Sequence, residues 1–142
     1  PWNCTGALSA AVQHGAIIGA AGGGRVTSAA RRVYAEAISV TALDATHAGK
    51  TYELAGDVPH SGADLAATVA KAAGKPVAYV SMPQADYAQA LIGFGLPEGF
   101  AQVLADSDAR AGEGALLDES RTLSRLIGRP TTPIAETVAA AL

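Results

Sequence analysis

The 142 residues carry a net charge of −3, with 49% apolar and only 16% charged side chains. That balance excludes a disordered chain and offers no basic surface of the kind nucleic acids require. There is enough chain for one domain, or part of one, and the single cysteine, Cys4, excludes an internal disulfide and a cysteine-based metal site.

In chain order, Thr5 is placed to cap a helix over Ala7–Gln13 that stops at Gly15. His14 then sits at the helix C-terminus, where the dipole favours a cation. Ala16–Ala20 follows as a short apolar strand, and Gly19, Gly22, Gly23 and Gly24 form the densest glycine run in the chain. That run can be read as a phosphate-binding turn or as a turn joining two strands beside a pocket. The order is G-x-x-G-G-G, whereas the dinucleotide fingerprint wants G-x-G-x-x-G. No strand ending in an acid follows at the required distance, so the strand-to-strand turn is preferred. Arg25–Ser28 is the second strand, and Arg25, Arg31 and Arg32 read as a solvated basic face.

Ser28 is expected to cap a helix over Ala29–Leu43, with Val33, Ala37, Val40 and Ala42 as its apolar stripe and Tyr34 beside it. Lys50–Asp57, with Tyr52 and Leu54 alternating around Glu53, predicts a strand centred on Thr51–Leu54. Ser61 opens a helix over Gly62–Ala73, with Asp64 in its first turn and Gly74 at its end. Val77–Ser81 is another strand, and Pro83 starts a helix to about Phe94. Pro97-Glu98 begins one that ends near Asp106, and Ala109–Gly114 reads as a mobile loop. Asp118 or Ser120 caps a short helix closed by Gly128, and Thr132 caps a last helix beginning at Pro133 with Glu136 in its first turn. Three or four short strands among about six helices make the class mixed α/β.

No catalytic constellation emerges. His14, His47 and His60 lie in three different turns without metal-ligand spacing. There is no Gly-x-Ser-x-Gly elbow. None of Tyr34, Tyr52, Tyr79 and Tyr87 has lysine four residues later. Asp106 and Asp108 read as solvation of a helix end. No apolar run approaches the ~20 residues of a membrane span, no signal sequence is visible at the start, and lone Cys4 fits a cytoplasmic location. Pro1 in place of Met permits a truncated chain, and too few strands are present for a complete doubly wound sheet.

Three segments, HGAIIGAAGGGRVTSAARRVYAEA, GKTYELAGD and LADSDARAGEGALLDESRTLSRLIGRPTTPIAETV, occur in an order that resembles the C-terminal half of the NmrA-like atypical short-chain dehydrogenases. Leu126–Glu136 is the most specific stretch, and within the group the type-2 NAD(P)H:quinone oxidoreductases are the most similar. The resemblance covers essentially residues 1–142. It implies the substrate-side part of a Rossmann-type fold without its N-terminal dinucleotide-binding unit. It also implies hydride transfer to a quinone or similar carbonyl compound, with NADP(H) as cofactor of the intact family protein and no strong cofactor binding by this chain alone. Such enzymes need no side-chain nucleophile, and neither a catalytic side chain nor a metal ligand is expected. By the same resemblance, Asn3 and Ile17 lie on the cofactor side and Ile18 and Tyr34 on the substrate side. Two departures stand out. Pro1-Trp2-Asn3-Cys4 keeps only Asn3 of a family segment rich in aromatics, and Ile17-Ile18 is aliphatic where the family often has an aromatic. The competing reading is a non-catalytic NmrA-like regulator that senses the dinucleotide and passes its state to a protein partner. No nucleic acid or membrane is expected as a partner. Apolar surface left by a missing sheet edge predicts self-association, as a homo-oligomer or with the missing half.

Overall fold

The computed structural model describes residues 8–142; the Thr5 cap and Asn3 lie outside that range. Among the described residues are seven α-helices, a short 3-10 turn and two small sheets. Helix α1 (Leu8–His14) leads through Gly15, at φ +72°, into β1 (Ala16–Gly19). Gly15 takes the left-handed conformation that only glycine adopts at little cost. After the glycine turn come β2 (Arg25–Val26) and α2 (Arg31–Leu43). Then follow the 3-10 turn Ala45–His47, β3 (His60–Ser61) and α3 (Gly62–Ala73). Next are β4 (Ala78–Ser81), α4 (Gln84–Gly93), α5 (Glu98–Gly112), α6 (Thr122–Ile127) and α7 (Ile134–Ala139).

Strands β1 and β4 pair in parallel, with Ile17 opposite Tyr79 and Gly19 opposite Ser81. A parallel pair needs a long crossover, and the chain between them supplies α3, which lies against both strands. Strands β2 and β3 pair antiparallel, Arg25 with Ser61 and Val26 with His60. The glycine turn therefore does join two strands, but it carries the chain from one sheet to the other. Two apolar clusters hold the elements. Leu8, Ala11, Leu65, Ala66, Val69, Val77 and Val138 bury one between α1, α3 and α7. Ala29, Val33, Ala37 and Leu123 bury the other between α2 and α6.

Helix α3 shows how local signals set an element. Ser61 Oγ accepts from the Asp64 amide at 3.1 Å while Asp64 Oδ2 accepts from the Ser61 amide at 2.8 Å, a reciprocal capping box. Gly74, at φ +65°, ends the helix in the left-handed conformation.

Several expectations give way to longer-range contacts. Thr51–Leu54 is not a strand: the segment holds only a single backbone bond to β2's continuation, from the Gly56 amide to Thr27 O at 2.9 Å. The Tyr52 hydroxyl turns to His47 Nδ1 at 2.7 Å. Ser28 does not cap α2, which begins at Arg31 without a side-chain cap, because Ser28 Oγ lies 3.4 Å from His60 Nε2. The stripe of α2 ends at Ala37; Val40 and Ala42 are exposed. Thr132 does not cap α7, because its hydroxyl accepts from Arg32 at 3.1 Å. Arg121, at φ +56°, stands at the cap position of α6, and Ser120 Oγ accepts from the Thr122 amide. Helix α5 runs to Gly112, so most of the expected loop at Ala109–Gly114 is helical.

A clasp ties the segment before β3 to the start of the C-terminal turn. The Asp57 amide donates to Thr131 Oγ1 at 2.9 Å, and the Thr131 amide donates to Asp57 Oδ2 at 2.7 Å. Arg129, whose Nη2 donates to both Glu36 carboxylate oxygens at 2.7 and 2.6 Å, fixes the same turn to α2. Burial pushes the Asp57 carboxyl up, but the Thr131 backbone bond and its neighbours outweigh it and hold the group below the usual carboxylate range. Buried His60 is held below the usual imidazole value, chiefly by burial. Both shifts make acid destabilising. His60 contributes stability that is lost as pH falls below about 6.5, and Asp57 contributes stability that is lost as pH falls below about 4. Urea midpoints between pH 7 and pH 3 should therefore drop in two stages. Asp57→Asn should lose about 1–3 kcal/mol at pH 7 and flatten the lower stage. A midpoint indifferent to pH over that range would contradict this account.

Candidate functional site at the ends of the parallel strands

Parallel strands place ligand crevices outside their carboxyl ends. Here those ends are Gly19 on β1 and Ser81 on β4. The chain leaves β4 through Met82 and Pro83 into α4, turns at Phe94-Gly95, and returns along α5. Helix α5 brings its last turns back over the end of β1. Asp108 Oδ2 accepts a hydrogen bond there from the Ala20 amide at 2.5 Å. Four residues later Gly112 meets the glycine turn. A Cβ on Gly24 would overlap the Gly112 backbone, and one on Gly112 would lie 2.8 Å from Ala21 O. Both positions need the bare backbone.

Tyr79 occupies a slot at the same end. A Cβ on Gly62 would come within 2.5 Å of the Tyr79 ring, and a Cβ on Gly19 would lie 2.8 Å from both its hydroxyl and Asp108 Oδ2. The two glycines thus let an aromatic ring and a carboxylate converge on one strand end. Burial raises the Tyr79 phenol above its ordinary value and the Asp108 carboxylate adds to that, against hydrogen bonding to Ala21 and Ser81. Tyr87, on α4, is raised for the same first reason, with Asp108 and then Tyr79 adding to it. Both hydroxyls keep their protons across the physiological range and can act as donors.

The Asp106–Asp108 pair thus divides. Asp106 is exposed and bonded to Arg110 at 2.9 Å, which is helix solvation as expected. Asp108 is not; it turns inward to β1. The signal was present in the spacing, since Asp108 follows the buried Ala101 and Ala105 on one helical stripe. Tyr79 and Tyr87 carried no comparable mark, because their partners lie on other elements.

Of the residues expected from the resemblance, Asn3 is outside the described range. Ile17 packs on the first cluster and Tyr34 on the second, each half-buried. Ile18 follows Ile17 on the opposite face of β1, one residue from the strand end. The structure therefore does not gather Ile17 and Tyr34 into one cluster. An open groove of about 430 Å³ lies between α4 and α5, lined by Gln84, Ala85, Ala88, Gln89, Gln102 and Ala105. It contains no ionisable group, so the strand ends, where the titratable groups converge, are the stronger candidate.

The glycine turn does not suit a diphosphate. A phosphate site pairs glycine amides with a helix N-terminus. Here the run lies against the C-terminal carbonyls of α5, with Ala111 O 2.9 Å from a Cβ built on Gly24, and the next helix starts only at Arg31. The partial negative charge of that helix end disfavours an anion. Among the described residues there is no metal-binding group of His, Cys, Asp or Glu, and no helix long and apolar enough to cross a membrane.

No protein-family model matches the chain. It is 49% identical over 136 residues, 96% of its length, to quinone oxidoreductase 2 of Escherichia coli K12, and the match covers 48% of that protein. The crystal structure of the Escherichia coli NADPH-dependent quinone oxidoreductase in complex with NADPH superimposes with a TM-score of 0.95 at 48% identity. That likeness covers 97% of this chain and 49% of the other. The chain is homologous to the C-terminal half of the NmrA-like quinone oxidoreductases. Triphenylmethane reductase of Citrobacter sp., solved with NADP(H), follows with a TM-score of 0.90 and 32% identity, over 95% of this chain and 47% of that one. The chain spans about half the length of the relatives it matches.

The Asp108 anchor can be tested by spectroscopy and stability together. Asp108→Ala should cost about 1.5–3 kcal/mol, as for a hydrogen bond to a charged group. It should also move part of the tyrosine titration, followed by phenolate absorbance, to lower pH. An unchanged titration would mean that Asp108 does not face Tyr79 and Tyr87.

Proposed function

We propose that this chain forms the acceptor-side part of an NADPH-dependent reductase that passes hydride to a quinone or similar neutral carbonyl compound. The observation that carries the reading is the 49% identity to quinone oxidoreductase 2 across 96% of the chain. The site agrees with it, because tyrosines and one carboxylate at a strand end suit positioning a flat acceptor better than nucleophilic attack. When bound, the reduced nicotinamide supplies the hydride. Its diphosphate is held, in this reading, by the half of the relatives' length that the chain does not match. Asn3 and Ile17 then meet the cofactor side, while Ile18 and the open part of Tyr34 meet the acceptor. Asp108 holds α5 over the strand ends and so limits the access of water.

Calorimetric titration of the 142-residue chain with NADPH tests this division. No saturable binding is expected up to millimolar cofactor. Micromolar binding that is lost on Gly23→Val, where an added side chain meets open space, would make the glycine turn a phosphate site and overturn the reading.

A further inference from the structure

The turn that follows α2 gathers three polar side chains that the strand-end site does not use. Helix α2 ends at Leu43, and Asp44 opens the 3-10 turn Ala45–His47, its Oδ1 accepting from the Thr46 amide at 2.8 Å. The Lys50 amide donates to His47 O at 3.1 Å, and Gly49, at φ +73°, reverses the chain. That reversal brings Tyr52 back to the His47 ring, edge to face, with centroids 5.6 Å apart. The Tyr52 hydroxyl lies 2.7 Å from His47 Nδ1, and the other ring nitrogen, Nε2, faces Asp44 Oδ2 at 3.9 Å. The His47 side chain is only 18% exposed and Tyr52 is half-buried, so the contact is partly shielded from water.

Charge orders the protons along this line. The bond from the Thr46 amide holds the Asp44 carboxyl below the usual carboxylate range, so the group is ionised. A carboxylate beside Nε2 favours the tautomer that carries its proton there, which leaves Nδ1 to accept from the phenol. No other tyrosine hydroxyl meets an imidazole among the described residues. A phenol loses an electron far more readily when its proton leaves in the same step, because the phenol radical cation is a very strong acid.

We infer that Tyr52 is a redox-active residue, the tyrosine of this chain that yields an electron first to a diffusible one-electron oxidant of the peroxyl-radical class. In that step one electron passes from the Tyr52 ring to the oxidant. The phenolic O–H bond breaks, and its proton forms an N–H bond at His47 Nδ1. A neutral phenoxyl radical and an imidazolium remain, the imidazolium facing the Asp44 carboxylate. An electron returned by a reductant draws the proton back to the phenolic oxygen. Asp44 acts through the ring and is a positioning residue. The site stands apart from the acceptor-side reading, because none of its three residues lies at the ends of β1 or β4.

Flash-quench oxidation by photogenerated tris(bipyridine)ruthenium(III), followed by tyrosyl absorbance in the 142-residue chain, tests the relay. The wild-type chain should form tyrosyl radical at a rate independent of buffer base, because the proton acceptor is built in. Tyr52→Phe should remove that phase and Tyr79→Phe should keep it. His47→Gln retains a hydrogen-bond acceptor but no base, and should slow the phase about a hundredfold, the lower end of what a positioned base contributes. A phase that survives Y52F, is lost in Y79F, keeps its rate in H47Q or scales with buffer base in the wild-type chain would overturn the proposal.

Discussion

One hydrogen bond spans 88 residues of chain and decides where the site lies: the Ala20 amide donating to the Asp108 carboxylate. Strand β1 ends at Gly19, so the next amide has no ladder partner of its own. A buried amide without an acceptor is costly, and α5 supplies the acceptor. The same contact fixes the returning arm of the α4–α5 hairpin over the strand ends. It brings a carboxylate beside two tyrosines, and the donor character of those tyrosines follows from burial and from that charge together.

Glycine makes the approach physically available. Gly24 and Gly112 meet backbone to backbone, and Gly19 and Gly62 flank the Tyr79 ring. These close contacts give the glycine run a packing role against the C-terminal end of α5, where a phosphate would need a helix N-terminus. The likeness to the NADPH complex of the Escherichia coli quinone oxidoreductase over about half of that protein fits the same division of labour.

The elements that were legible in the sequence are those set by neighbours within a few residues. Ser61, Asp64 and Gly74 bracket α3, and Pro83 stands at the start of α4. Lys50–Asp57 misled because alternation reports a half-buried extended segment but not whether another strand lies beside it. Gly56 has its bond to Thr27 and the rest of the segment builds no ladder. The end of α5 misled for the opposite reason. Its small residues resemble a loop, yet Ala111 is buried and Gly112 packs on Ala21. Ser28 and Thr132, good caps by type, were taken by His60 and Arg32. The family resemblance was carried partly by the clasp residues Asp57 and Thr131, whose visible role is to hold the chain together. Asp108 was read with Asp106 as helix-end solvation although it shares a stripe with buried Ala101 and Ala105, because the amide it meets lies on a distant element.

The central claim is that α5 is anchored to the end of β1 through Asp108, and that this anchoring builds the candidate site. Amide hydrogen exchange at Ala20, read by NMR in the 142-residue chain, tests it most directly. If Asp108 accepts that amide, Ala20 exchanges as slowly as the amides within β1, and Asp108→Asn or Asp108→Ala speeds it while the β1–β4 ladder amides stay protected. An Ala20 amide that exchanges like exposed backbone in the wild-type chain would mean that the strand end is open and the site is built differently.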